Sequence, residues 1–294
     1  MAFAEPHIEL PFERPLVRRR RASSVRQAFS GTPVGAYLAF ACVGAVFLIA
    51  IFATVLAPYD PTVPAAEPLM APSGSHLFGT DEIGRDVFSR VLIGMQSSWW
   101  GAMAVIASGV IIGGLVGLIA GLLGGWVDSV LMRVTDTFMA LPGAVLAVAV
   151  TAAIGPSFTN TLIAIAIVWW PLYARIVRGE AHRLRTSPHM DSARTGGVSR
   201  FRLATRHLLP GVGPPTIVAA SLDVGALVVV LAGLSFLGLG APAPAPELGS
   251  MSARGLPYLF GSWWVPILPA VGVLTLAMVA NFSGDALRDR IKDR

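Results

Sequence analysis

Long apolar runs separated by short polar or glycine-rich breaks dominate this chain. Six runs reach membrane-crossing length: Val34 to Leu56, Trp100 to Leu123, Val130 to Ile154, Phe158 to Val177, Pro215 to Leu239 and Trp264 to Phe282. At about 18 residues or more, crossing a bilayer explains such a run better than burial in a soluble core. Between the second run and the third the only break is the stretch Gly124 to Asp128. The pattern predicts an all-α membrane protein with six transmembrane helices. It divides the chain into an N-terminal tail (1–33), a first transmembrane helix (34–56), a connection with an amphipathic segment (57–99), a core of five further spans (100–282) and a C-terminal tail (283–294). One long polar loop, 178–213, interrupts the core.

Composition supports this division: 54% of the 294 residues are apolar, only 13% are charged, and the mean hydropathy is +0.67. The N-terminal segment carries Glu5, Glu9, Glu13 and the Arg18 to Arg21 cluster before any apolar stretch. A cleaved leader would place a short apolar region first, so the first run reads as a retained helix. Cys42, the single cysteine, allows no disulfide within the chain and sits in an apolar run as a small hydrophobe.

The net charge of +5 gains meaning from its placement. If the N-terminus lies in the cytoplasm, the inner segments hold six Arg before the first run, eight from Arg175 to Arg206, four basic residues from Arg288 to Arg294, and Arg133, 19 in all. The outer segments hold only Arg85, Arg90 and Arg254. Because positive flanks stay on the cytoplasmic side, both termini are expected inside. The same placement speaks against nucleic acid as a partner, since the basic blocks alternate with apolar runs and are not interleaved with stacking aromatics.

Candidate chemistry is sparse. A phosphate-binding loop needs a glycine-rich turn ending in Gly-Lys-Ser/Thr, and the only lysine, Lys292, stands in a charged tail without such glycines. The five histidines show no metal-binding spacing. Asp81, Arg85 and Asp86 lie close together in the first connection, but no nucleophile or metal site accompanies them. Pairing with one another, or with a partner at the membrane face, is the expected role. Asp136 stands within one turn of Arg133 and is expected to pair with it. Asp223 falls near mid-depth of the fifth run, where a charge needs a cavity or a partner; lining a solute pathway and burial beside a polar neighbour are both open.

The loop 178–213 is too long to be a simple connector. Ser187-Pro188 is a good helix start, Gly196-Gly197 provide a sharp reversal, Ser199 can cap a second helix, and Pro210 is expected to end it. A two-turn helix is not stable alone in water. Its expected exposed face, with Met190, Asp191, Ala193 and Arg194, suits a groove on a partner protein or the membrane surface.

This string resembles the EAA loop of ATP-binding-cassette (ABC) importer permeases. With Asp191 at the first position, Gly197 occupies the glycine position and Leu209-Pro210 the Leu-Pro position; Asp191, Ser192 and His207 depart from the motif. Further strings, His76 to Arg90, Ser235 to Gly240, Pro246 to Met251 and Asn281 to Asp289, are similar to the C-type subunit of dipeptide, oligopeptide and metal-chelate permeases. The resemblance implies the type I importer fold, in the bacterial cytoplasmic membrane and in contact with lipid. It implies a B-type sister permease, one or two cytoplasmic ATPase subunits holding ATP and Mg, and an extracytoplasmic solute-binding protein. No cofactor is expected in this chain. Asp191, Ser192, Ala193, Arg194, Gly197, Leu209 and Pro210 would form the element that docks on the ATPase. Asp81, Arg85 and Asp86 would lie at the outer interface. Peptide is the expected solute, with nickel chelate, haem or glutathione as alternatives. An ion-coupled secondary transporter would instead call for inverted repeats and several intramembrane acids, and a membrane scaffold would leave the loop unexplained.

Overall fold

A computed structural model describes residues 33–292, so the Arg18 to Arg21 cluster and nearly all of the 1–33 tail lie outside the described residues. The described elements are helices: α1 (Pro33–Leu56), α2 (Val87–Leu123), α3 (Gly125–Ala140), α4 (Gly143–Ile154), α5 (Phe158–Arg185), α6 (Pro188–Thr195), α7 (Arg200–Leu203), α8 (Leu209–Phe236), α9 (Leu248–Gly255) and α10 (Trp264–Lys292). Among them α2, α5, α8 and α10 are long and apolar enough to cross a membrane. The described apolar stretch of α1 is Phe40–Leu56.

The third run is not one straight span. It breaks into α3 and α4, which meet at 86°. Leu141 (φ −91°, ψ 140°) and Pro142 (φ −58°, ψ 116°) are extended, because a proline ring disfavours helical geometry in the residue before it. Other boundaries also shift, two of them by ten residues or more. The second span starts at Val87, well before Trp100, because Asp86 caps it by accepting from the Ser89 N–H at 2.7 Å. At the far end α10 runs past Phe282 to Lys292.

The helices assemble around a seam of glycines. Gly101 lies against Phe158 and Leu162, Gly109 against Tyr173, and Gly121 against Ala181, so α2 and α5 run parallel along their length. A side chain at Gly113 would collide with the Trp170 carbonyl, and one at Gly117 with the Ala174 carbonyl. Gly109, Gly113, Gly117 and Gly121, spaced by four, therefore let two backbones touch. In lipid, where apolar side chains gain nothing from leaving the solvent, such close packing is what holds helices together. A core of Trp99, Val105, Ile165, Tyr173, Leu227, Leu231, Leu248, Trp264 and Leu276 continues the contact to α8, α9 and α10. Helix α9 is wedged into this core: Gly249 abuts the Ala232 carbonyl of α8, and Gly255 abuts Pro266 of α10. Glu247 caps α9 through the N–H groups of Gly249 (3.3 Å) and Ser250 (2.9 Å). Burial pushes the Glu247 carboxyl above its ordinary pKa, while these hydrogen bonds pull the other way.

A buried polar network between His76 and Arg90 ties down the first connection. Asp81 accepts from Arg85 Nε at 2.6 Å and lies 3.5 Å from Arg90 Nε. Arg90, 1% exposed, donates to the carbonyls of Pro61 and Pro244. His76 Nδ1 is 2.9 Å from Asp86 Oδ1 and its ring stacks on Tyr59. Trp264 Nε1 donates to the Thr80 carbonyl at 3.2 Å, which ties the connection to α10. Asp86 thus caps α2, holds His76 and accepts from the Ser89 hydroxyl with no exposed surface. Asp86→Ala is expected to destabilise the fold by about 2 kcal/mol or more, read as a lower unfolding temperature of the purified protein, because it removes a cap and strands buried donors. Asp86→Asn, which keeps an acceptor, should cost less.

Candidate coupling and pathway sites

Between α5 and α8 the chain forms a short hairpin of helices. Ser187 donates its hydroxyl back to the Leu184 carbonyl at 2.7 Å, and α6 starts at Pro188. At its far end the Val198 N–H reaches the Ala193 carbonyl at 3.1 Å, with Gly197 at φ +77°. This is the glycine-terminated helix stop in which a left-handed residue frees the chain to reverse. The Arg202 N–H then approaches Ser199 Oγ at 3.4 Å.

Pro210 does not end the second helix. From α7 the path continues through a π-helical turn, Ala204–Leu208, into α8, with Pro210 in the first turn. The first turn needs no N–H from proline. Leu209-Pro210 therefore lies at the joint between hairpin and span. Met190 is also not on the outer face: it is 1% exposed and packs with Leu203 and Leu208 against Leu118 and Leu122 of α2 and Leu184 of α5. The short helix gains its stability there, seated on the ends of two spans.

What the hairpin presents outward is Ser192, Thr195, Gly196 and Gly197, together with Phe201, Arg202, Thr205 and Arg206. Phe201, at 79% exposure, is an aromatic side chain that sequence reasoning passed over. Its signal was available, since the adjacent positions 203 and 204 carry the apolar residues that turn inward.

Ion pairs brace the same end of the bundle. Arg178 grips Asp128 with both Nε (2.7 Å) and Nη2 (2.6 Å), and Arg175 Nη2 lies 2.6 Å from Asp136. Asp136 thus pairs across to α5 rather than with Arg133 on its own helix. Both bridges tie α3 to α5.

Asp223, half-buried on α8, accepts from Tyr173 Oη at 2.9 Å and Trp169 Nε1 at 3.3 Å. Neither donor carries a charge. Asp81, Arg85 and Asp86 are each at most 4% exposed, so their side chains hold the first connection together.

Residues 113–294 match the family described as "Binding-protein-dependent transport system inner membrane component". The chain is 43% identical over 243 residues to the probable D,D-dipeptide transport system permease protein DdpC of Escherichia coli, covering 82% of each. It is 38% identical to the dipeptide transport system permease protein DppC of Alkalihalophilus pseudofirmus (83% of this chain, 81% of the relative). It is 36% identical to the glutathione transport system permease protein GsiD of Pectobacterium atrosepticum, with the same coverage. Among solved structures, the MetNI methionine ABC transporter in inward-facing conformations contains a similar fold: TM-score 0.52, 19% identity, 68% of this chain and 95% of that one.

Proposed function

Because this chain belongs to the family of inner-membrane components of binding-protein-dependent transport systems, we propose that it is the C-type permease of an ABC importer that carries di- and oligopeptides across the bacterial cytoplasmic membrane. The relatives' names supply the solute class: D,D-dipeptide, dipeptide and, as a second reading, glutathione, itself a peptide.

The observation that carries the mechanism is the hairpin. Its inner face is anchored on α2 and α5 through Met190, its joint at Leu209-Pro210 leads into α8, and its outer face offers Ser192, Gly197 and Phe201. A partner that grips the outer face moves three spans at once. In this reading Asp191, Ser192, Ala193, Arg194 and Gly197 seat in a groove of a cytoplasmic ATPase, and Leu209-Pro210 transmits the tilt. The partner binds ATP and Mg; its closure biases the permease between two states, as a ligand biases any two-state element. This chain is a transporter subunit and leaves hydrolysis to its partners.

The arginine asymmetry supports a cytoplasmic hairpin and cytoplasmic termini. The broken pair α3 and α4 counts as one span, and with α1 it brings the total to six. A B-type sister completes the pathway, and Asp223 lines it. Outside, the ordered 57–86 connection built on Asp81, Arg85 and Asp86 supports the surface that meets the solute-binding protein and the sister.

The test is isolation of the tagged chain from the native membrane in mild detergent. An ATPase and a second permease are expected with it in fixed proportion. Recovery of this chain alone, still able to move solute, contradicts the proposal.

A further inference from the structure

The partners of Asp223 leave half of its carboxylate open. Both hydrogen bonds, from Tyr173 Oη and Trp169 Nε1, go to Oδ2. Oδ1 takes no hydrogen bond from the described residues, yet it is not among their occluded, unpartnered polar atoms. Among the described residues no basic side chain pairs with Asp223, whereas Asp128 and Asp136 each hold an arginine. A carboxylate inside a span is costly unless a cavity or a cation meets it. Two neutral donors fix its direction without neutralising it.

We infer that Asp223 Oδ1 receives the ammonium group of the passing solute, with Tyr173 and Trp169 holding the carboxylate in place. This rests on the peptide-import reading and on Asp223 lining the pathway. An ammonium fits because it is compact, donates three hydrogen bonds and carries the missing charge. In a peptide it has two sources, the amino terminus and a lysine side chain.

The test uses the full importer in proteoliposomes, with each solute presented on a binding protein loaded to equal occupancy. Three solutes serve: dialanine, N-acetyl-dialanine and N-acetyl-alanyl-lysine. In the wild type both solutes that carry an ammonium should outpace N-acetyl-dialanine. Asp223→Asn should cut the dialanine to N-acetyl-dialanine uptake ratio by about tenfold, because a desolvated charge pair loses one partner, and Asp223→Glu should keep most of it. A matching fall for N-acetyl-alanyl-lysine means that any ammonium is read; a fall for dialanine alone assigns the site to the amino terminus. If Asp223→Asn does not assemble, Tyr173→Phe should lower the same ratio by a smaller factor, since it loosens the carboxylate and keeps the ring. An unchanged ratio in the variants, or equal loss for free and blocked solutes, overturns the inference. A wild-type importer that carries none of the three instead removes the peptide reading itself.

Discussion

A Gly113→Val permease is expected to be almost absent from detergent extracts, whereas Gly114→Val should be recovered at close to the wild-type amount. The two glycines are neighbours with opposite surroundings. A Cβ at position 113 would strike the Trp170 carbonyl and crowd the Ala174 N–H, both backbone atoms of α5, while one at 114 meets nothing within 4 Å. Overpacking a core typically costs about 1–3 kcal/mol when side chains can yield. Here the obstacle is another helix, so α5 must move away from α2 and every contact along the seam loosens. That includes Tyr173, which also holds Asp223. Fluorescence-detected size exclusion of the tagged chain measures the outcome. Equal recovery of the two variants would mean that the α2–α5 seam does not hold the bundle together.

The second large effect is expected at the turn of the hairpin. Gly197 has φ +77° in open space, so a larger side chain meets no clash there but must adopt a left-handed backbone. For a β-branched residue that geometry costs about 1–2 kcal/mol or more, and an alternative turn relieves it. Gly197→Val should therefore reorient α6 relative to α7 without unseating the spans. If the hairpin transmits closure of the ATPase, ATP-driven uptake should fall by about tenfold, an effect of about 1.4 kcal/mol, while the amount of permease in the membrane stays near normal. Gly196→Ala is the matched control: Gly196 lies outside the left-handed region and its nearest neighbour would be the Ser192 carbonyl at 3.3 Å. Uptake that survives Gly197→Val undiminished would argue that the hairpin's shape is irrelevant to transport.

The contrast between these two glycines shows what could be read from the chain and what could not. Gly197 announced itself locally, between a Ser-Pro start and a second cap, and the helix–glycine–helix outline is present. Four of the apolar runs likewise marked helices long enough to span, because hydropathy over some 20 residues is a one-dimensional property. The glycine seam was equally visible as a spacing of four, but its importance lies in Trp170 and Ala174, which approach from another helix. The break at Leu141-Pro142 was hidden for a different reason: both halves are apolar, and only the proline signals the bend.

Long-range pairing accounts for the other differences. Asp136 had Arg133 beside it in sequence but meets Arg175 in space, on a helix that the local pattern cannot bring near. Met190 looked like part of an outward face until Leu118, Leu122 and Leu184 gathered beneath it. Asp81 and Arg85 pair with one another, one of the two roles that their spacing suggested, and a network with His76 and Arg90 buries them together with Asp86. For Asp223, the polar neighbour and the open oxygen coexist, so the two alternatives left by the sequence are compatible.

The claim on which all of this depends is that the chain moves solute only as one part of an ATP-driven assembly. Uptake of labelled dialanine into proteoliposomes measures it most directly, with this permease reconstituted together with its sister, the ATPase subunits and the loaded binding protein. Uptake is expected only when ATP and the binding protein are both supplied, and omission of any one component should return it to background. Uptake by this chain alone, driven by an ion gradient and indifferent to ATP, would contradict the account.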